Sequence, residues 1–132
     1  MNVIDHIGIA VSSLEKRLPF YQALGFEPAG EEVVAEQKVR VAFIPVEGTR
    51  LELLEPTDES SPIAVHIARR GEGLHHLCFR VADIRAAMDA CAAKGYVLLS
   101  PDPVAGAHGA LVCFVHPRST GGVLIELSQP AG

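Results

Sequence analysis

The chain carries one pattern twice, and that repeat limits its possible folds more than any other feature. D-H-I-G-I-A-V opens an apolar alternation at His6, and H-H-L-C-F-R-V opens the matching one at His76. At an offset of 70, Val11 falls on Val81, Ser13 on Asp83, Leu14 on Ile84, Gly25 on Gly95 and Phe26 on Tyr96. At 71, Val41 falls on Val112 and Phe43 on Phe114. At 74, Gly48 falls on Gly122, Leu51 on Ile125, Glu52 on Glu126 and Leu53 on Leu127. The drift in offset predicts a longer turn between His116 and Gly121, since insertions belong in loops. Two copies are too few for a solenoid, which needs at least three to bury a continuous core. They point to a duplicated module with a site between the halves.

Each copy reads as βαβββ. Residues 3–11 alternate as a strand, with Val3, Ile7, Ile9 and Val11 on one face and His6, Gly8 and Ala10 on the other. Ser12-Ser13-Leu14-Glu15 is a capping-box pattern that predicts a helix from Leu14 to Leu24, stopped by Gly25, with Pro19 as a blemish inside it. Strands are expected at 26–34, 39–46 and 50–54, with a turn at Gly48-Thr49. Pro56 to Pro62 reads as a linker, and Ile63 to Arg70 as a short helix. The second copy predicts a strand at 74–81, an Asp83 cap, a helix over 84–94, and strands near 96–100, 110–116 and 123–127. The expected class is α+β: two βαβββ modules in a pseudo-twofold repeat, forming one curved, cup-like mixed sheet backed by helices. The whole chain, 1–132, is expected to be one domain. Module one runs to about residue 56, a linker covers about 57–72, and module two follows from about 73.

Composition removes several function classes. The 132 residues are 48% hydrophobic and 20% charged, which is ordinary for a globular protein. No apolar run approaches the ~20 residues of a membrane span, and the start M-N-V-I-D-H lacks the basic and apolar regions of a signal peptide. A net charge of −5 argues against nucleic-acid binding. Cys78, Cys91 and Cys113 lack C-x-x-C spacing and sit in apolar surroundings, so they read as reduced core thiols of a cytoplasmic protein.

The polar residues inside the apolar strands carry the chemistry. Glu52 is flanked by Leu51, Leu53 and Leu54, and Glu126 by Leu124, Ile125 and Leu127. Burying such a glutamate is costly unless it is paired or bound to metal. Alternation puts His76 on a face with Cys78 and Arg80, Glu52 with Arg50 and Leu54, and Glu126 with Leu124 and Ser128, all opposite the most apolar stripe. His6, Glu52, His76 and Glu126 are therefore expected to line one face as ligands of a divalent first-row metal. A Glu–His hydrogen bond without metal is the simpler alternative. His66, His75 and His116 read as solvated or locally hydrogen-bonded, and His108 in G-A-H-G as either a loop hydrogen bond or a contact to substrate. Glu36 falls on Ala107 and breaks the symmetry; on its own it reads as an exposed charge in an acidic stretch with Glu31 and Glu32.

These motifs resemble the vicinal oxygen chelate superfamily and, within it, the methylmalonyl-CoA epimerases. The resemblance runs from D-H-I-G-I-A-V through L-E-L-L-E-P, S-P-I-A, H-H-L-C-F-R-V and G-A-H-G to H-P-R-S-T-G-G-V-L-I-E-L. The S-P-I-A and G-A-H-G segments are the more specific ones. It implies a homodimer acting on an acyl-CoA and a divalent ion, cobalt foremost, with nickel, manganese or zinc as alternatives. It implies His6, His76 and Glu126 as core ligands, with Glu52 at a fourth position where some members have glutamine. Glu36 matches the family's second acid, so Glu36 and Glu126 are the implied pair of bases, with Glu36 near a shielded cavity. Such an enzyme interconverts (2R)- and (2S)-methylmalonyl-CoA by removing and returning the proton α to a thioester, through a metal-stabilised enolate. Ala110-Leu111 departs from a Lys-Pro found in many members, which puts one basic contact to CoA in question. Lys38, Arg40, Arg69, Arg70 and Arg118 remain candidates for the phosphates. The alternatives are a lactoylglutathione-lyase-type isomerase, a ring-cleaving dioxygenase and a non-enzymatic ligand-sequestering protein of the same fold.

Overall fold

Short-range polar bonds start and stop the two main helices, and they repeat as the sequence does. The computed structural model describes residues 3–132. In the first copy, β1 (Val3–Ala10) leads into α1 (Leu14–Ala23). The Ser13 side chain accepts from the Lys16 N–H at 3.3 Å, so the cap is Ser13 with its own third residue. The next free donor, Leu14 N–H, bonds Glu55 Oε2 at 3.0 Å. In the second copy, β5 (Gly73–Arg80) leads into α3 (Ile84–Ala93). Asp83 accepts from Ala86 N–H at 3.0 Å, and Ile84 N–H bonds Gln129 Oε1 at 2.9 Å. Glu55 and Gln129 stand at the same repeat position.

The helix ends match as well. Gly25 (φ 93°) donates to Gln22 O while Phe26 donates to Tyr21 O. Gly95 (φ 85°) donates to Ala92 O while Tyr96 donates to Cys91 O. Both are Schellman endings, which need the left-handed residue that glycine supplies. Pro19 does not break α1. It removes one backbone donor, and the remaining turns carry the helix past it.

Two compact units make up the chain: residues 6–75, and residues 76–132 with 3–5. In the first, β2 (Glu31–Val34), β3 (Val39–Val46), β4 (Thr49–Pro56) and β1 are neighbours in that order. β1 and β4 run parallel, while the other pairs are antiparallel. α2 (Pro62–Arg70) follows, capped by the fully buried Ser61. In the second, β5, β8 (Ile125–Gln129), β7 (Leu111–Val115) and β6 (Val104–Ala105) repeat the order, with β5 and β8 parallel. The expected α+β class and doubled module are thus present.

Each unit has its own core between helix and sheet. Val11, Leu14, Ala42, Ile44 and Leu53 form one, with Leu18 and Tyr21 of α1 packed against it. Ile84, Met88, Cys113, Val115 and Leu127 form the other. Burial pushes the Cys113 thiol up from its ordinary range, as expected of an inert core cysteine, and no disulfide joins the three cysteines. Among the described residues no helix is long and apolar enough to cross a membrane.

Three expectations shift. The strand expected at 96–100 is one isolated bridge, Leu98 to Val115, and the short edge strand lies at 104–105. Leu99 N–H bonds Phe114 O and His116 N–H bonds Val97 O, but Pro101 and Pro103, which follow, lack the donors needed to extend this pairing. The first hairpin turns at Glu47-Gly48, one residue earlier than expected, because Gly48 takes φ 84°. The weak strand shrinks to Glu31–Val34.

Candidate metal centre

The register of the parallel pairs sets the site residues. In the first unit Gly8 of β1 lies opposite Glu52 of β4, and His6 stands two residues before Gly8, on its face. Phe43 of β3 lies opposite Glu52 from the other side. In the second, Cys78 lies opposite Glu126, His76 stands two residues before Cys78, and Phe114 lies opposite Glu126. The arrangement is the same in both units, position for position.

The side chains meet accordingly. His6 Nδ1 is 3.2 Å from Glu52 Oε2, and His76 Nε2 is 3.0 Å from Glu126 Oε1. All four are buried, none more than 8% exposed. Leu53 and Leu127, one residue past each glutamate, pack into the helix-side cores. The glutamates therefore face away from the apolar stripe, as the alternation predicted.

What surrounds each pair differs. Arg50 places Nε 2.8 Å and Nη2 2.7 Å from Glu52 Oε2, while its guanidinium lies 5.8 Å from the Phe43 ring centre. In the second unit the Phe114 and His76 rings stand edge to face with centres 5.6 Å apart, and the position matching Arg50 holds Leu124. The sequence put Arg50 on the face of Glu52 but assigned it no part; an opposite charge two residues along one strand face was the signal. Asp5, buried and bonded to Arg80 at 3.1 Å, is a third buried acid, which the pattern did not single out.

The donor set suits a divalent ion. Imidazole nitrogen and carboxylate oxygen are the ligands that first-row ions share, and His6, His76 and Glu126 are buried side chains of ligating type. Adjacent ligands of an octahedral ion with bonds of about 2.1 Å stand about 3.0 Å apart, which both His–Glu pairs satisfy. The four sequence candidates thus fall into two buried pairs, one per unit.

Glu36 belongs to neither pair. It lies in the 3-10 turn Ala35–Gln37 between β2 and β3 and is exposed, not shielded as expected. The turn ends at Lys38, which takes the left-handed conformation (φ 53°), donates to Ala35 O and reaches Ser60 Oγ at 2.5 Å. These two bonds of Lys38 tie down the end of the turn that carries Glu36. His108 is exposed in the matching 3-10 turn, Ala107–Gly109, also with positive φ (56°). His116 caps a local turn by accepting from Arg118 N–H at 3.1 Å, as its local reading implied. His66 and His75 stack edge to face at 4.9 Å.

Residues 5–114 match the Glyoxalase/Bleomycin resistance protein/Dioxygenase superfamily. The ethylmalonyl-CoA/methylmalonyl-CoA epimerase of Cereibacter sphaeroides is 40% identical over 129 residues, covering 96% of each chain. The mitochondrial methylmalonyl-CoA epimerase of Homo sapiens is 39% identical over 128 residues, which span 96% of this chain and 73% of that one. The solved structure of a Streptomyces coelicolor methylmalonyl-CoA epimerase variant, in complex with 2-nitronate-propionyl-CoA, superposes with a TM-score of 0.92 at 40% identity, covering 98% of each chain. With its two βαβββ modules and two buried His–Glu pairs, this chain belongs to that superfamily and, within it, to the methylmalonyl-CoA epimerases.

Proposed function

We propose that the chain interconverts (2R)- and (2S)-methylmalonyl-CoA, and that His6, Glu52, His76 and Glu126 together hold one divalent ion for this reaction. The observation that carries the reading is the pair of buried His–Glu contacts in identical register. A pair of this kind once in a chain is an ordinary buried hydrogen bond. Built twice on the same frame, in a family of epimerases, it is better explained as two halves of one ligand set. The ion supplies Lewis-acid stabilisation to the charge that develops on the thioester oxygen.

Epimerisation needs two groups on opposite faces of one carbon, one taking the α-proton and the other returning one. Glu126 and Glu36 fill these roles. Glu126 is buried and held beside His76, which fixes its direction. Glu36 is exposed on a loop pinned by Lys38 and Ser60, so a proton it takes exchanges with solvent. Cobalt is the proposed ion, ahead of nickel, manganese and zinc, and a cytoplasmic homodimer is the proposed state.

The test is proton NMR in deuterated water with (2R)- or (2S)-methylmalonyl-CoA, using chelator-treated protein with and without added cobalt. The α-proton signal should disappear far faster than in buffer alone, and only when the ion is present. Failure of metal-dependent exchange refutes the epimerase reading. Turnover of a glutathione hemithioacetal instead would favour the lactoylglutathione-lyase type.

A further inference from the structure

The two ligand glutamates occupy equal positions in unequal electrostatic surroundings. Glu52 Oε2 receives two N–H bonds from Arg50, at 2.7 and 2.8 Å, and the same oxygen faces His6. The Arg50 side chain is only a quarter exposed, and its guanidinium lies over the Phe43 ring. Its position is therefore set by a carboxylate and an aromatic face at once. At the matching place beside Glu126 the chain has Leu124, which brings no charge, and Phe114 meets the His76 ring instead of a cation.

We propose that Arg50 is a positioning residue that makes the two glutamates inequivalent: it neutralises and fixes Glu52 as a ligand only, and so leaves proton transfer to Glu126. The inference rests on the four-ligand reading above. An arginine is charged at every working pH, so the effect does not switch off. Two neutral imidazoles and two carboxylates carry two negative charges, which a divalent ion cancels. Arg50 returns one positive charge to that set. This favours an anionic substrate and, more strongly, the charge that builds in the transition state. The same positive charge repels the ion, so the set holds it less tightly than four ligands otherwise would.

Arg50→Met and Arg50→Gln test this, with cobalt affinity measured by calorimetry and kcat and KM measured separately. In both variants the cobalt Kd should fall about tenfold while kcat also falls about tenfold, and KM should change less than threefold. Tighter metal with slower turnover is not what a merely structural residue gives, since losing a structural support weakens both. Arg50→Gln keeps a donor toward Glu52 without the charge, and it remains informative if Arg50→Met does not fold. Arg50→Lys, which restores the charge, should bring Kd back within about threefold of the native value. Weaker or unchanged cobalt binding in Arg50→Gln, or native kcat in it, overturns the proposal. If the native chain binds no cobalt and exchanges no proton, the four-ligand reading fails and takes this one with it. If the native chain does both, an inert Arg50 defeats this inference alone.

Discussion

The two modules share their scaffold and differ in their charges. Both helices start on a side-chain cap, have a second donor met from the end of the partner strand, and stop at a left-handed glycine. Both place a histidine two residues before the residue that faces the glutamate. Then Arg50 stands where the second copy has Leu124, and Glu36 where it has Ala107. Backbone hydrogen bonds and core packing tolerate little change, so the frame stays equal in both halves. Charges on the polar face are freer to diverge. A reaction that removes a proton from one face of a carbon and returns it on the other needs unequal groups on an equal frame.

Breaking the inequality at Glu36 should have the largest effect. Glu36→Gln removes a proton acceptor while keeping size and polarity. General-base losses run at about 10²–10⁴-fold, and kcat should fall within that range. The proposed ligand pairs lie elsewhere, so cobalt stoichiometry by elemental analysis should match the native protein, and so should the melting temperature. Native turnover in this variant would remove Glu36 from the mechanism. Loss of metal together with turnover would mean that the 3-10 turn supports the ligand set instead of the proton transfer.

Much of this was legible in the sequence because period-two alternation and helix punctuation are local. Gly25 and Gly95 marked helix ends, Asp83 marked a cap, and the leucines around Glu52 and Glu126 showed which face each acid takes. The βαβββ order followed from these signals. Less visible were bonds between residues far apart in sequence. Nothing near Leu14 indicates that Glu55 satisfies its N–H, and nothing near Ile84 points to Gln129. The strand expected at 96–100 failed for a different reason. Val97, Leu98 and Leu99 have strand propensity, yet they make one isolated bridge, and the edge strand lies at 104–105, beyond the prolines. The burial of Glu36 was misjudged as well, since the resemblance implied a shielded cavity and the loop leaves it exposed.

A smaller prediction exchanges a residue between the copies. Ala35 and Gly106 fall at the same repeat position: Ala35 opens the first 3-10 turn and Gly106 immediately precedes the second. Gly106 has an ordinary φ of −121°, so a side chain is not barred by the backbone. It is barred by space, because a Cβ there would stand 2.8 Å from Val112 Cγ1. Gly106→Ala should therefore destabilise the chain by about 1–3 kcal/mol through overpacking, read as a lower midpoint in urea with unchanged slope. Gly106→Ala with Val112→Ala should recover part of the loss. A neutral Gly106→Ala would show that the second copy accommodates the first copy's residue here, and that the glycine has another reason.

The smallest effect belongs to a clasp that only the first copy has. Arg17 of α1 bonds Glu72 at 2.6 and 3.0 Å, and Glu72 also accepts from Ser12 N–H at 3.0 Å. The second copy has Ala87 and Ala82 at the positions of Arg17 and Ser12. Chiefly through the Arg17 hydrogen bond, the Glu72 carboxyl is pulled down from 4.5 to about 2. A depressed acid stabilises the fold above its unfolded value, and that contribution is lost as pH falls through the folded value. Its window therefore runs from about 4.5 down to about 2. The pair is exposed and screened by salt, so Glu72→Gln should lower Tm at pH 7 by no more than about 2 °C. That gap should narrow steadily in melts taken at successively lower pH across the window, and shrink at pH 7 in high salt. A gap that ignores both pH and salt would assign Glu72 to packing, and leave the first copy with no electrostatic clasp to set it apart from the second.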